Sequence, residues 1–240
     1  MDVLIVIPAH NEEAIIEQNV DKVIKFMKNQ KDYNWHLVIA ENGSKDDTLG
    51  ILKKLSKKYP KKIFSFKSIP IRSKSDAIKQ TWLSYEADIY IHMDADLSTD
   101  LSHIPQLVEG IKEGNDIVIG SRGLKTSEVE RGAKRNFISY GYNIVTSLLF
   151  SLNVKDLQCG FKAINKRTLN EVVKQTKYIS EGFMDTEILI LAAYKGFRIK
   201  EIPIGWKDDR ESKFNFLLVG IKFVGNLLKV KRDLTLGRYK

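Results

Sequence analysis

Between residues 3 and 120 the chain switches repeatedly from short continuous apolar runs to longer segments of helical period, and this alternation limits its fold more than any other feature. Val3-Leu4-Ile5-Val6-Ile7 is an unbroken apolar run stopped by Pro8. That is the pattern of a strand covered on both faces, and residues 12–28 then carry apolar side chains at helical spacing. Further strands are predicted at 35–40, 63–66, 89–93 and 116–120, with helices at 47–58 and 75–86. Strands alternating with helices imply right-handed crossovers and a mostly parallel, Rossmann-like sheet flanked by helices. The loops then gather at the C-terminal edge of the strands, where such sheets bind ligands. Residues 124–135 are polar and read as a mobile loop able to act as a lid, followed by a helix at about 136–152.

Length and charge narrow the class. The 240 residues, 43% of them apolar, suffice for one sizeable core with a C-terminal appendage. The expected division is a domain over 1–213 and a basic amphipathic segment over 214–240. The single cysteine, Cys159, excludes an intrachain disulfide and a cysteine-based zinc cluster, and fits a reducing compartment. The apolar run after Met1 is too short for a secretory signal or a membrane span, so a cytosolic start is expected. Thirty-nine basic residues against thirty acidic ones give +9, which favours anionic partners. Most of the excess is local, because residues 213–240 hold seven basic side chains and one acid. The basic stretch at 53–79 has helical lysine spacing in its first part and reads as a solvated helix face. Residues 214–230 form a helix candidate whose Asn215, Lys222, Asn226 and Lys229 make a narrow polar stripe. It is too short to cross a bilayer.

Asp94-Ala95-Asp96 follows the strand at 89–93 directly, which sets two carboxylates at its C-terminal end. Hard oxygen ligands there suit Mg²⁺ or Mn²⁺ bridging a donor diphosphate; the bland alternative is a strand-ending turn. Two neighbouring loops add to it. Pro8-Ala9-His10-Asn11-Glu12-Glu13 ends the first strand, and Ala40-Glu41-Asn42-Gly43-Ser44 opens the loop after the second. Their acids and amides suit a base edge and ribose hydroxyls, with Gly43 allowing a tight turn; otherwise Asn11, Ser44 and Asp47 cap the next helices.

Five ordered blocks together resemble glycosyltransferase family 2, in its polyprenyl-phosphate (dolichyl-phosphate) hexosyltransferase branch. They are the loop from Ile7 to Glu13, Glu41 through Thr48, Met93-Asp94-Ala95-Asp96-Leu97-Ser98, Ile119-Gly120-Ser121-Arg122, and Asp156-Leu157-Gln158-Cys159-Gly160-Phe161-Lys162. The wording from Gln158 to Lys162 looks closest to the lipid-phosphate glucosyltransferases. The resemblance implies a GT-A fold, with Pro8, His10, Asn11, Glu12, Ala40, Glu41, Asn42, Gly43, Lys74 and Ala95 around the nucleotide. It also implies Asp94 at ribose and metal, Asp96 at the metal, and Arg122 on the donor diphosphate. Arg135 and Ser139 match a pair that grips the acceptor phosphate, and Lys207, Arg210 and Lys213 fall in a basic acceptor-binding segment. Ser98 stands where mannosyl relatives often carry glutamine, so water would complete the metal shell. Glu41-Asn42 replaces two aspartates, His10 a tyrosine, and Ser75 a glycine, which leaves the base open.

The reaction implied is inverting transfer of a hexose from UDP-glucose, UDP-N-acetylglucosamine or GDP-mannose to dolichyl or polyprenyl phosphate, for glycan or cell-envelope synthesis. A lipid phosphate ionises a second time near about pH 6, so it needs no strong base, and Asp156 is the candidate to orient it or take a proton. Asp156 as a turn cap is the alternative, and Asp185 and Glu187 are further acids near the site by resemblance. The segment at 214–230 suits either an interfacial helix at the cytoplasmic face of a membrane or a core or dimer-interface helix, so membrane contact is expected to be peripheral or through a membrane-protein partner. Two rivals remain. One is a family 2 enzyme acting on a sugar or protein hydroxyl. The other is a nucleic-acid-binding or phosphate-binding module without catalysis, against which stand the lack of an interleaved stacking platform and aspartates that would repel a polyanion unless a metal is bound. Oligomeric state is not legible.

Overall fold

The computed structural model describes residues 1–130, 133–178, 182–207 and 216–239, without the side chains at 130, 133–140 and 216–221. Strand β1 (Asp2–Ala9) leads through α1 (Ile16–Met27) to β2 (Asn34–Asn42), then α2 (Thr48–Lys58), β3 (Phe64–Ile69), α3 (Lys74–Trp82) and β4 (Ile89–His92). Next come α4 (Ile104–Lys112), β5 (Ile117–Ser121), β6 (Glu128–Glu130), α5 (Ala133–Phe150), β7 (Lys162–Asn165) and α6 (Lys166–Glu171). The remaining elements are α7 (Met184–Tyr194), β8 (Ile199–Pro203), β9 (Gly205–Lys207) and α8 (Phe216–Thr235).

Seven strands form one sheet in the order β3-β2-β1-β4-β7-β5-β8. All neighbours are parallel except β7, which runs against both β4 and β5. Lys162, the first residue of β7, pairs with His92 and Ile119 near the ends of β4 and β5. The segment entering β7 is thereby delivered to the same edge where the parallel strands finish. Both faces of the sheet are covered, as the apolar runs require. Val3, Ile5 and Ile7 pack with Val20, Val23 and Met27 of α1, while Leu4 and Val6 pack with Ala77, Ile78 and Trp82 of α3. Helix α7 is buried almost all round, consistent with its near-continuous apolar sequence.

Two expectations are corrected. Part of the predicted loop at 124–135 is strand β6, paired in parallel with β9, and helix α5 starts at Ala133 and ends at Phe150. A three-residue strand is too short to show a period, and its partner is remote in sequence. Helix α3 stops at Trp82 rather than running on to 86, with the Ser84 hydroxyl turned back onto the Gln80 carbonyl at 2.6 Å. In the C-terminal segment, Phe223, Leu227, Val230 and Tyr239 are buried in the same cluster as Tyr90, Phe183 and Ile188.

Candidate functional site

The loops after β1 and β2 lie side by side, since Pro8 pairs with Ala40 and Ala9 with Glu41. Their polar side chains tie one loop to the other. Asn11 Oδ1 accepts from the Lys45 amide at 2.8 Å, and Ser44 Oγ accepts from the Asn11 backbone amide at 3.1 Å. Glu13 accepts from the Asp47 amide (2.8 Å), Asp46 from the Glu13 amide (3.1 Å), and Thr48 Oγ1 from the Glu12 amide (2.9 Å). Neither α1 nor α2 has a side-chain N-cap, so Asn11, Ser44 and Asp47 cross-link loops instead of capping helices. Gly43 has φ +67, and a Cβ there would lie 3.1 Å from the Pro70 carbonyl oxygen. His10 donates a ring N–H to the Asn42 carbonyl at 2.8 Å, and the Asn42 amide donates to the Ala9 carbonyl at 3.1 Å. Glu41 is buried and accepts from the Ser44 amide (2.6 Å) and the Ser68 hydroxyl (2.5 Å). The residues of these loops that the sequence assigns to the nucleotide thus share one cross-linked wall.

Asp94 and Asp96 sit beyond β4 on that same edge. Helix α1 steadies their loop: the buried Asn19 side chain donates to the Ala95 carbonyl at 2.8 Å. Asp96 accepts from the Ser98 amide at 3.1 Å, and Leu97 takes a left-handed φ of 54. The Lys74 ammonium, on the first residue of α3, contacts Asp94 Oδ1. Burial alone would lower the Lys74 pKa, but Asp94, Asp185 and Asp96 together hold it above its ordinary value. Across the carboxylate lies Gly160, where a Cβ would come within 2.8 Å of Asp94 Cγ. The antiparallel entry to β7 and the absence of a side chain at 160 let the backbone approach the acid this closely.

Arg122, just past β5, forms a two-pronged pair with Asp156: Nε to Oδ2 at 2.6 Å and Nη2 to Oδ1 at 2.9 Å, with the Arg122 backbone amide also on Oδ2 at 3.0 Å. The side chains are 14% and 4% exposed. Burial pushes the Asp156 carboxyl up, yet the hydrogen bonds and charge of Arg122 carry it below its usual value. Glu201 holds the loop beneath by accepting from the Lys155 amide at 3.0 Å. The Trp206 ring lies 5.3 Å from the guanidinium carbon of Arg122, within cation–π reach. Strand β9 then clasps the loop after β4, with the Lys207 amide donating to the Ser98 carbonyl at 2.9 Å and Thr99 bridged to Trp206. A cavity of about 700 Å³ opens beside Asp96 and is lined by Asn19, Lys22, Ser98, Glu128 and Trp206 among others.

Beneath Asp94 is a buried cluster that sequence reasoning did not assemble. Lys162 Nζ lies 2.6 Å from Asp185 Oδ1, and His92 Nε2 is 3.5 Å from the same oxygen; Lys162 is 1% exposed. Burial drives His92 down to about 4, so its ring is neutral near neutral pH, while for Asp185 the upward push of burial is outweighed by Lys162, His92 and Lys74. The available signal was a lysine inside the apolar run 161–164, since lysine is rarely buried unpaired. Glu187 is also buried, accepting from the Lys177 and Tyr178 amides at 2.9 and 2.8 Å and from the Tyr239 hydroxyl at 2.8 Å. Burial pushes the Cys159 thiol up to about 12, which keeps it protonated and unreactive. Arg135 and Ser139 fall within α5, but their side chains lie outside the described residues, as do Arg210 and Lys213 altogether. Lys207 is on the exposed face of β9.

The chain is similar to known proteins in sequence and in fold. Residues 4–173 match the family model for glycosyl transferase family 2. The chain is 28% identical over 219 residues to Glycosyltransferase AglD of Haloferax volcanii, covering 90% of this chain but only 35% of that protein, about a third of its length. It is 30% identical over 256 residues to the Dolichyl-phosphate beta-glucosyltransferase of Saccharomyces cerevisiae, covering 98% of this chain and 76% of that enzyme. In fold it superposes on glucosyl-3-phosphoglycerate synthase from Mycobacterium tuberculosis in complex with Mn²⁺, UDP and glucosyl-3-phosphoglycerate, with a TM-score of 0.69. That match is 20% identical and spans 95% of this chain and 79% of the other.

Proposed function

The chain belongs to glycosyltransferase family 2, and from that membership we propose that it is an inverting hexosyltransferase carrying a sugar from a nucleotide-sugar donor to a dolichyl or polyprenyl phosphate. The observation that carries the acceptor reading is the state of Asp156 and Asp185. A hydroxyl acceptor needs a base to take its proton, with a pKa near the working pH. Here both acids are buried, each is paired with a cation, and each is held below the usual carboxylate range. An acceptor that is already ionised needs no such base. A phosphate monoester at neutral pH is one, and the hydroxyl-accepting alternative is correspondingly disfavoured.

The metal-binding residues fit Mg²⁺ or Mn²⁺. Among the described residues no three His, Cys, Asp or Glu side chains gather into a metal cluster. Two carboxylates on one loop, Asp94 and Asp96, are what these ions take when substrate phosphate and water fill the other positions. The Mn²⁺ and UDP held by the mycobacterial enzyme support the same kind of site. When bound, the ion would neutralise the departing diphosphate. Arg122, locked in direction by Asp156 and Trp206, adds a fixed cation for the donor diphosphate, so positioning and charge supply most of the catalysis. The wall formed by His10, Asn11, Glu12, Glu41 and Asn42 receives the nucleoside. Arg135, Ser139, Lys207, Arg210 and Lys213 are assigned to the acceptor phosphate.

Membrane contact in this reading is peripheral, at the cytoplasmic face. No helix of the described residues is long and apolar enough to cross a bilayer. Helices α5 and α8 pack together through Tyr142 and Phe223 and leave Ile144, Leu148 and Leu228 exposed, with Lys229 and Lys231 nearby. An apolar face rimmed by lysines suits an anionic lipid surface.

The test is to incubate the protein and Mg²⁺ or Mn²⁺ with a polyprenyl phosphate and UDP-glucose, UDP-N-acetylglucosamine or GDP-mannose in turn. One donor is expected to label the lipid phosphate, and Asp96→Ala to abolish both transfer and metal-dependent donor binding while the far-UV spectrum is unchanged. Sugar transfer in Asp96→Ala with metal present, or transfer only to hydroxyl acceptors, would overturn the assignment. Arg135→Ala is expected to impair use of the lipid more than donor binding.

A further inference from the structure

Asp94 already has a cation. The Lys74 ammonium contacts Asp94 Oδ1, and the Gly160 backbone closes the other side of the carboxylate. Lys74 is the first residue of α3, a position where the helix dipole disfavours positive charge, so helix formation does not explain it. Nor is the lysine walled in, because both side chains are 40% exposed at the mouth of the site. Its flexible four-carbon stem can therefore swing away without disturbing the core.

Two cations cannot share one carboxylate oxygen without strong repulsion. A divalent ion arriving at Asp94 must displace the ammonium, and the displaced ammonium needs a new anion. We propose that Lys74 is an exchangeable counter-ion: it neutralises Asp94 in the empty enzyme, resists metal binding on its own, and passes to the donor's diphosphate when metal and nucleotide arrive together. The inference rests on the metal-assisted donor site proposed above and adds a rule for how that site fills. Metal alone binds weakly, nucleotide strengthens it, and by linkage metal strengthens nucleotide by the same factor. The arrangement disfavours a metal-loaded enzyme without donor.

The experiment measures Mn²⁺ binding by electron paramagnetic resonance, with and without UDP, for wild type, Lys74→Met, Lys74→Arg and Asp96→Ala, each checked for folding by circular dichroism. Lys74→Met removes the competing cation and is expected to bind Mn²⁺ alone roughly tenfold more tightly than wild type, and to gain much less from UDP. Lys74→Arg keeps the charge and should retain both the weak binding and the gain. Equal or weaker Mn²⁺ binding by folded Lys74→Met, or an undiminished gain from UDP, overturns the exchange. If wild type binds Mn²⁺ no better than Asp96→Ala even with UDP, the metal site itself is wrong, and the exchange falls with it. The first outcome leaves the donor site standing and the second does not.

Discussion

Lys162 and Asp185 form an ion pair almost out of contact with water, and breaking such a pair from one side leaves a bare buried charge. Lys162→Met is expected to lose about 3–5 kcal/mol of stability near neutral pH in urea unfolding, and Lys162→Met with Asp185→Leu to recover much of it. The pH dependence should reverse sign. In the native chain Asp185 sits below its ordinary value, so its contribution is complete above that value and is lost as pH falls through the lower folded one. Without Lys162, burial dominates and raises Asp185, so the single variant should regain stability as the solution is acidified from about pH 7 to about pH 5. A variant that weakens in step with wild type over that range would contradict the pairing. At Arg122 the geometry of the fork matters as well as the charge. Arg122→Lys is expected to reduce kcat/KM by about 10²-fold, because an ammonium cannot hold Asp156 by two parallel bonds. The sequence displayed Arg122 and Asp156 as separate candidates, but nothing in their spacing announced that one would orient the other.

Among elements, the run from β1 to β4 was legible because each strand and helix declares itself by its own period, and from β1 to β3 each strand also pairs with the next in sequence, whereas β4 crosses back to pair with β1. Strands β6 and β9 are three residues each, and only their mutual pairing makes them strands. The reversed β7 was hidden for a related reason: its apolar residues reveal burial and say nothing of direction. That direction matters at Gly160. Gly160→Ala should push the Asp94 carboxylate aside, since the new Cβ would lie 2.8 Å from Asp94 Cγ. The expected result is at least roughly tenfold weaker Mn²⁺ binding in the presence of UDP, with thermal unfolding little changed; unaltered metal binding would show that the loop has slack.

For the whole molecule, the sequence division into a domain and a basic appendage meets a shared core. Leu227 of α8 is fully buried in the cluster that contains Tyr90 and Ile188. Leu227→Ala is expected to destabilise the protein by about 2–5 kcal/mol within a single cooperative transition seen alike by fluorescence and circular dichroism. Separate transitions would favour the division into a domain and an appendage. Charge counting treats each basic residue at this end as available, whereas Arg238 and Arg232 lie 3.1 and 3.3 Å from Asp233, whose other oxygen accepts from the Tyr178 hydroxyl at 2.9 Å. The β6–β9 pair has a different importance. Among the described residues no ladder joins it to the seven-stranded sheet; it is held by the clasp on residues 98–100 and by Ile204, the single residue between β8 and β9. The register that aligns Asp94, Arg122 and Gly160 is therefore set by the seven-stranded sheet, and substitutions within the short pair can accumulate without shifting it. A lineage could change what it glycosylates while inheriting its donor machinery intact.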